Sequence, residues 1–181
     1  MRSLTLLLVP ALVVAGLAGC AGAPADIAPC HPDDVLAKIV IREGDTGNGV
    51  VAVNLEVSNQ GKEWCRLDGA PTVRIINVKS VPVGQAATPM DDRPTTPADL
   101  APGETGYALL ETTKAMPEFA GCDEEFAQGI SLVLPGFEAD SAMVLPSPVA
   151  QYCDIPDLDT LLVSGFATEP PEGHDSRDAD G

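Results

Sequence analysis

The stretch Val50–Pro71, VVAVNLEVSNQGKEWCRLDGAP, decides the fold. Val51, Val53, Leu55 and Val57 point one way, and Ala52, Asn54, Glu56 and Ser58 the other. That period of two belongs to a strand with one buried face. Asn59-Gln60-Gly61 then supplies a turn, and Trp64-Cys65 returns the chain to the core. Both flanks continue the theme. Upstream, Val35 to Arg42 (VLAKIVIR) sets Val35, Ala37, Ile39 and Ile41 on one face, and the turn-dense residues 43–49 lead from it to Val50. Downstream, Thr72 to Lys79 alternates again. Val81-Pro82-Val83 reads as a short edge strand, because proline has no amide to give a central ladder. Residues 84–99 read as a polar, proline-rich loop, and Leu100 to Glu104 as a turn. Gly106 to Thr112, Ile130 to Leu134, Ala142 to Leu145 and Thr160 to Phe166 complete the strands. Within residues 114–126, a short helix is expected over Glu118 to Phe126. About eight short strands with frequent turns and no long amphipathic helix predict an all-β chain, an antiparallel β-sandwich.

The chain opens MRSLTLLLVPALVVAGLAGC. Arg2 is a short positive region, and Leu4 to Leu17 is an apolar run too short to span a bilayer comfortably. Leu17-Ala18-Gly19-Cys20 resembles the lipobox of bacterial lipoproteins. That resemblance implies cleavage before Cys20 and a diacylglyceryl group on its sulfur. Two acyl chains anchor stably where one does not, since each buried methylene contributes about 0.8 kcal/mol. The expected organisation is a lipoprotein signal peptide over 1–19 and a lipidated tether over 20–29. A β-sandwich domain over 30–167 follows, then a disordered acidic tail over 168–181. The protein is then expected on the extracytoplasmic face of the cell membrane, held there by the lipid on Cys20.

The formal net charge is −17, which opposes binding to nucleic acid or to anionic headgroups and favours cations or basic proteins. Aromatic residues make up only 4%, so the core must be built of Val, Leu, Ile and Ala. Of the five cysteines, lipidation of Cys20 leaves Cys30, Cys65, Cys122 and Cys153. An even number in an exported domain argues for two disulfides. Three pairings are open. Cys30–Cys65 with Cys122–Cys153 is preferred, because each joins segments close in sequence and contributes about 3–4 kcal/mol by loop closure. Their spacing is unlike that of compact zinc motifs.

One run of residues carries a wider resemblance. It comprises Asn59, Gly61, Cys65, Leu67, Gly69 and Pro71, then Leu100-Ala101-Pro102-Gly103, Cys122, Pro135-Gly136 and Cys153. In this order they resemble an uncharacterised four-cysteine domain-of-unknown-function family of actinobacterial lipoproteins and secreted proteins. The resemblance covers Cys30 to Phe166. It implies an Ig-like sandwich outside the cell, and it implies no activity. The pattern departs from true immunoglobulin domains. Trp64 sits beside Cys65, and Tyr152 is one residue before Cys153 where a tyrosine corner has two.

Several residues invite chemistry. Asp45-Thr46-Gly47 matches the aspartic-protease tripeptide, but it has no second copy and lies among turn residues, so it reads as a hairpin turn. His31 precedes Pro32-Asp33-Asp34 and reads as a polar lead into the first strand; with no second domain histidine and no free thiol, it forms no nucleophile–base pair. Asp123-Glu124-Glu125 follows Cys122, and Asp154, Asp157 and Asp159 follow Cys153; bridging those cysteines would bring the carboxylates together as oxygen ligands for calcium. Met90, Met116 and Met143 with His31 are soft-metal ligand types, but they are widely separated and read as packing residues. The reading is a non-catalytic binding module without a cofactor or a metal site. It would offer the loops 84–99 and 113–121 to an envelope protein or a small ligand. The alternative is an envelope lipoprotein that binds calcium or copper.

Overall fold

A computed structural model describes residue 24 and residues 26–41, 50–91, 96–113, 123–154 and 160–171. Strand β1 (Val35–Ile41) leads into β2 (Val50–Asn59), and the two pair antiparallel with Val35 opposite Asn59. Next come β3 (Cys65–Leu67), β4 (Thr72–Ile76), β5 (Pro82–Val83), β6 (Thr88–Pro89) and β7 (Ala98–Leu100). Then follow β8 (Thr105–Thr113), β9 (Asp123–Phe126), β10 (Gly129–Val133), β11 (Met143–Pro146), β12 (Gln151–Asp154) and β13 (Leu161–Val163). Among the described residues, helical structure is confined to single 3-10 turns at Pro32–Asp34 and Ala139–Ser141. The chain is all-β, and its sheets are mixed.

The larger sheet runs in the order β1-β2-β8-β13-β6, and the smaller in the order β11-β10-β4-β5. Two ribbons, β3–β7 and β9–β12, stand beside them. The alternation of β2 works as its sequence requires. Val53, Leu55 and Val57 are fully buried, while Asn54, Glu56 and Ser58 are half-buried on the other face. Ala108 and Leu110 extend that buried face along β8. They meet Val73, Ile75, Ile130 and Leu132 of the smaller sheet in one cluster, which Tyr152 and Phe166 complete. Burying a valine or leucine this fully contributes about 1.5–3 kcal/mol, so this cluster supplies most of the driving force. At β5 the proline lies on the outer strand of its sheet, where its missing amide leaves no central ladder unpaired.

The structure differs from the expectations at several points. The larger sheet is not wholly antiparallel, since β13 and β6 run parallel. The strand begun at Thr72 stops at Ile76, because the Asn77 side chain accepts the amides of Lys79 (3.0 Å) and Val81 (3.2 Å) and turns the backbone. Residues 84–99 are not loop throughout, for they contribute β6 and open β7. Over Asp123–Phe126 the expected helix is instead strand β9, whose partner β12 supplies the backbone bonds. The rest of that helix lies outside the described residues. The last strand ends at Val163, where the Ser164 hydroxyl accepts the Leu109 amide at 2.8 Å in place of a ladder carbonyl. Trp64 is only half-buried, and Cys65 alone enters the core.

Candidate functional site

The domain begins where Cys30 is tied to Cys65 by a disulfide, with a Cα–Cα distance of 4.6 Å. The backbone prepares that contact. Cys30 N donates to Arg66 O at 3.0 Å, and Arg66 N to Ala28 O at 2.8 Å, so residues 28–30 run beside β3. Ile27 is buried as well, so the last residues of the expected tether lie against the domain. Across β3–β7, Arg66 stands opposite Asp99 and donates from Nε and Nη2 to its two carboxylate oxygens, at 2.5 and 2.9 Å. These hydrogen bonds, helped by the guanidinium charge and opposed by partial desolvation, hold the Asp99 carboxyl below its ordinary range. On the face of the larger sheet away from the core, Lys38 meets Glu56 at 2.8 Å, and that hydrogen bond raises the Lys38 ammonium above its ordinary value.

Next to the disulfide, a cleft of about 390 Å³ is lined by His31, Pro32, Asp33, Asp140, Ser141, Ala142 and Met143. It lies between the 3-10 turns that precede β1 and β11. His31 caps its turn, its Nδ1 accepting the Asp33 amide at 3.3 Å, and its ring meets Phe137 edge-on at 5.6 Å. His31 is exposed and leads through that turn into β1. Met143 shares the cleft with it, Met90 lies beside β13 with its amide on Val163 O at 2.9 Å, and Met116 is outside the described residues.

The other candidates divide similarly. Cys20, Cys122, the Asp45-Thr46-Gly47 tripeptide, Asp157 and Asp159 lie outside the described residues. Cys153 is in β12 opposite Glu124, and Asp154 is opposite Asp123. The two acidic runs are thus brought together by backbone register. Among the described residues no group of three or more His, Cys, Asp or Glu side chains converges as a metal site. Of the expected partner loops, 84–91 and 96–99 are described and carry short strands, while 114–121 lies outside.

One residue matters more than its turn position suggests. Asn59 is 1% exposed, and its Nδ2 donates to Glu63 O (2.8 Å) and Leu100 O (3.0 Å) while its Oδ1 accepts the Gly61 amide (2.9 Å). It ties the end of β2 to β7 and to the loop that presents Cys65. The signal for it is present in the sequence, as an Asx-type turn at the end of an alternating strand, but its burial is a tertiary fact.

Compared with known protein families, residues 30–166 match the domain described as "Domain of unknown function (DUF4232)". No curated protein and no solved structure matches the chain.

Proposed function

The chain belongs to the DUF4232 family of domains of unknown function, and from that premise we propose a lipid-anchored, extracytoplasmic, non-catalytic binding module. The observation that carries this reading is the Cys30–Cys65 disulfide. Such bonds persist in oxidising compartments, and this one closes ten residues after Cys20, at the start of the folded part. Among the described residues no helix is long and apolar enough to cross a membrane. Side chains from two sheets fill one core, which supports an Ig-like sandwich as the scaffold. A second bridge, Cys122–Cys153, is part of this proposal: β9, which begins one residue after Cys122, pairs with β12, which carries Cys153. Asp123, next to Cys122, lies opposite Asp154, and Cys153 lies opposite Glu124. The module would then offer its loops, or an edge, to an envelope protein or a small ligand.

The test is labelling with an alkyne-bearing fatty acid in intact cells, followed by photocrosslinking. Acylation should vanish in Cys20→Ala, and the wild-type chain should capture a defined protein or ligand. An intact amino terminus without acyl mass, or capture of bulk lipid alone, would count against the reading. The acidic register of β9 and β12 favours a second reading, calcium binding. Calorimetry with Ca²⁺ decides it: no heat and no change in melting temperature would remove that option.

A further inference from the structure

β1 leaves one side of its backbone unused. Gln60 N donates to Asp34 O at 2.7 Å, and this bond sets the alternation along the β1–β2 pair. Leu36, Lys38 and Val40 therefore occupy the hydrogen-bonded positions opposite Ser58, Glu56 and Asn54. Val35, Ala37, Ile39 and Ile41 turn their amides and carbonyls the other way. Among the described residues no strand pairs with that side, since β1 ends its sheet.

The side chains at this edge are also incompletely covered. Val35, Ala37 and Ile39 pack against the core but stay half-exposed, whereas Val53, Leu55 and Val57 one strand inward are fully buried. Met143 of β11, the edge of the other sheet, is half-exposed too. The edges β1 and β11 approach each other without pairing, and the cleft opens at their starts. Natural proteins blunt a long apolar edge with charge or proline. The one charged residue within β1, Lys38, is held by Glu56. What surrounds the open end is acidic: Asp33, Asp34 and Asp140 are all exposed.

We propose that β1 is a docking edge for an extended segment of a basic partner protein. The segment adds as a strand to the outward amides and carbonyls of Val35, Ala37, Ile39 and Ile41. Its alternate apolar side chains cover Val35, Ala37, Ile39 and Met143, and a lysine or arginine at its end lies over Asp33 and Asp140. Main-chain bonds supply affinity in this mode, and alternate side chains supply specificity. A second copy of this chain is the poorer occupant, because two bodies of net charge −17 repel. The proposal rests on the reading of the protein as a non-catalytic binding module and moves the contact from the loops to a sheet edge.

Backbone amide exchange by NMR tests it on the isotope-labelled full chain in detergent micelles. The probe is a ten-residue peptide alternating valine and threonine and ending in two lysines. It should slow exchange at Val35, Ala37, Ile39 and Ile41 at least tenfold. The same peptide ending in two glutamates should bind at least tenfold more weakly, and one interrupted by proline should give no protection. Asp33→Asn combined with Asp140→Asn, which leaves the strand intact, should erase the preference for lysine. Ala37→Pro removes one outward amide and keeps the bonds to β2, so it should abolish protection while β2 stays protected. Unchanged exchange along β1 with every peptide overturns the proposal. So does equal binding of the two charged forms, or protection that rises with the chain's own concentration and not with peptide. Loss of β1 protection alongside specific crosslinking through the loops would sink this edge and leave the binding-module reading standing; failure of acylation and capture would sink that reading alone.

Discussion

At the scale of the residue, Asn59 and the Arg66–Asp99 pair do most to join the pieces around the disulfide. Replacing Asn59 with alanine leaves two backbone carbonyls and one amide without their partner, and Leu100 O lies in the buried part of that set. Each orphaned buried group costs about 1–3 kcal/mol, so Asn59→Ala should lose about 2–3 kcal/mol after partial rescue by water. Urea titration checks this; a midpoint within error of wild type would show the side chain to be dispensable. Asp99 has a pH signature. Its carboxyl is depressed in the folded state, so its stabilisation is present above the unfolded carboxyl value near 4 and disappears as pH falls through the folded value. Both partners are partly exposed, which keeps the effect below about 1 kcal/mol. Asp99→Asn should therefore be slightly less stable than wild type at pH 7 and indistinguishable from it near pH 2. A difference that persists at the lower pH would assign the effect to packing.

At the scale of the element, the long strands were legible and the short ones were not. β2 declares itself through ten residues of alternation, and Pro82 correctly marked an edge. β6 and β7 have two and three residues, too few to show any period, and their existence is owed to partners far along the chain. The DEEF of β9 favours helix locally and is extended because β12 lies opposite, a case of tertiary pairing overriding local preference. The cleft was illegible for the same reason, since His31 and Met143 meet only once β1 and β11 are aligned. The smaller sheet also depends on a close approach that alternation cannot show. A Cβ on Gly129 would lie 2.7 Å from Leu145 O, a backbone atom of the neighbouring strand. Gly129→Ala must push β10 and β11 apart and should destabilise by about 1–3 kcal/mol. Thermal melts and amide exchange along Leu132–Met143 would report it; a melting temperature equal to wild type would show that the strands shift freely.

For the whole molecule, the decisive constraint is where the covalent clamp falls. Cys30 and Cys65 are separated by 35 residues, and the loop they close contains both β1 and β2. Loop closure of that length stabilises by about 3–4 kcal/mol in the chain-entropy view. The clamp also sits where residues 28–30 run beside β3, so any pull arriving from the amino-terminal side reaches β3 and the core through a covalent bond before it reaches β1. The double variant Cys30→Ala, Cys65→Ala should thus lose about 3–4 kcal/mol in urea, plus a smaller amount for the lost buried sulfurs. Complete reduction of the wild-type chain gives a second number. If Cys122 and Cys153 are also bridged, reduction must cost more than the double variant by about the same amount again, because their loop is of similar length. Equal losses would mean that the second bridge does not form. Adding reductant to the double variant completes the comparison: a further drop in the urea midpoint isolates the Cys122–Cys153 bond from the sulfurs near the anchor.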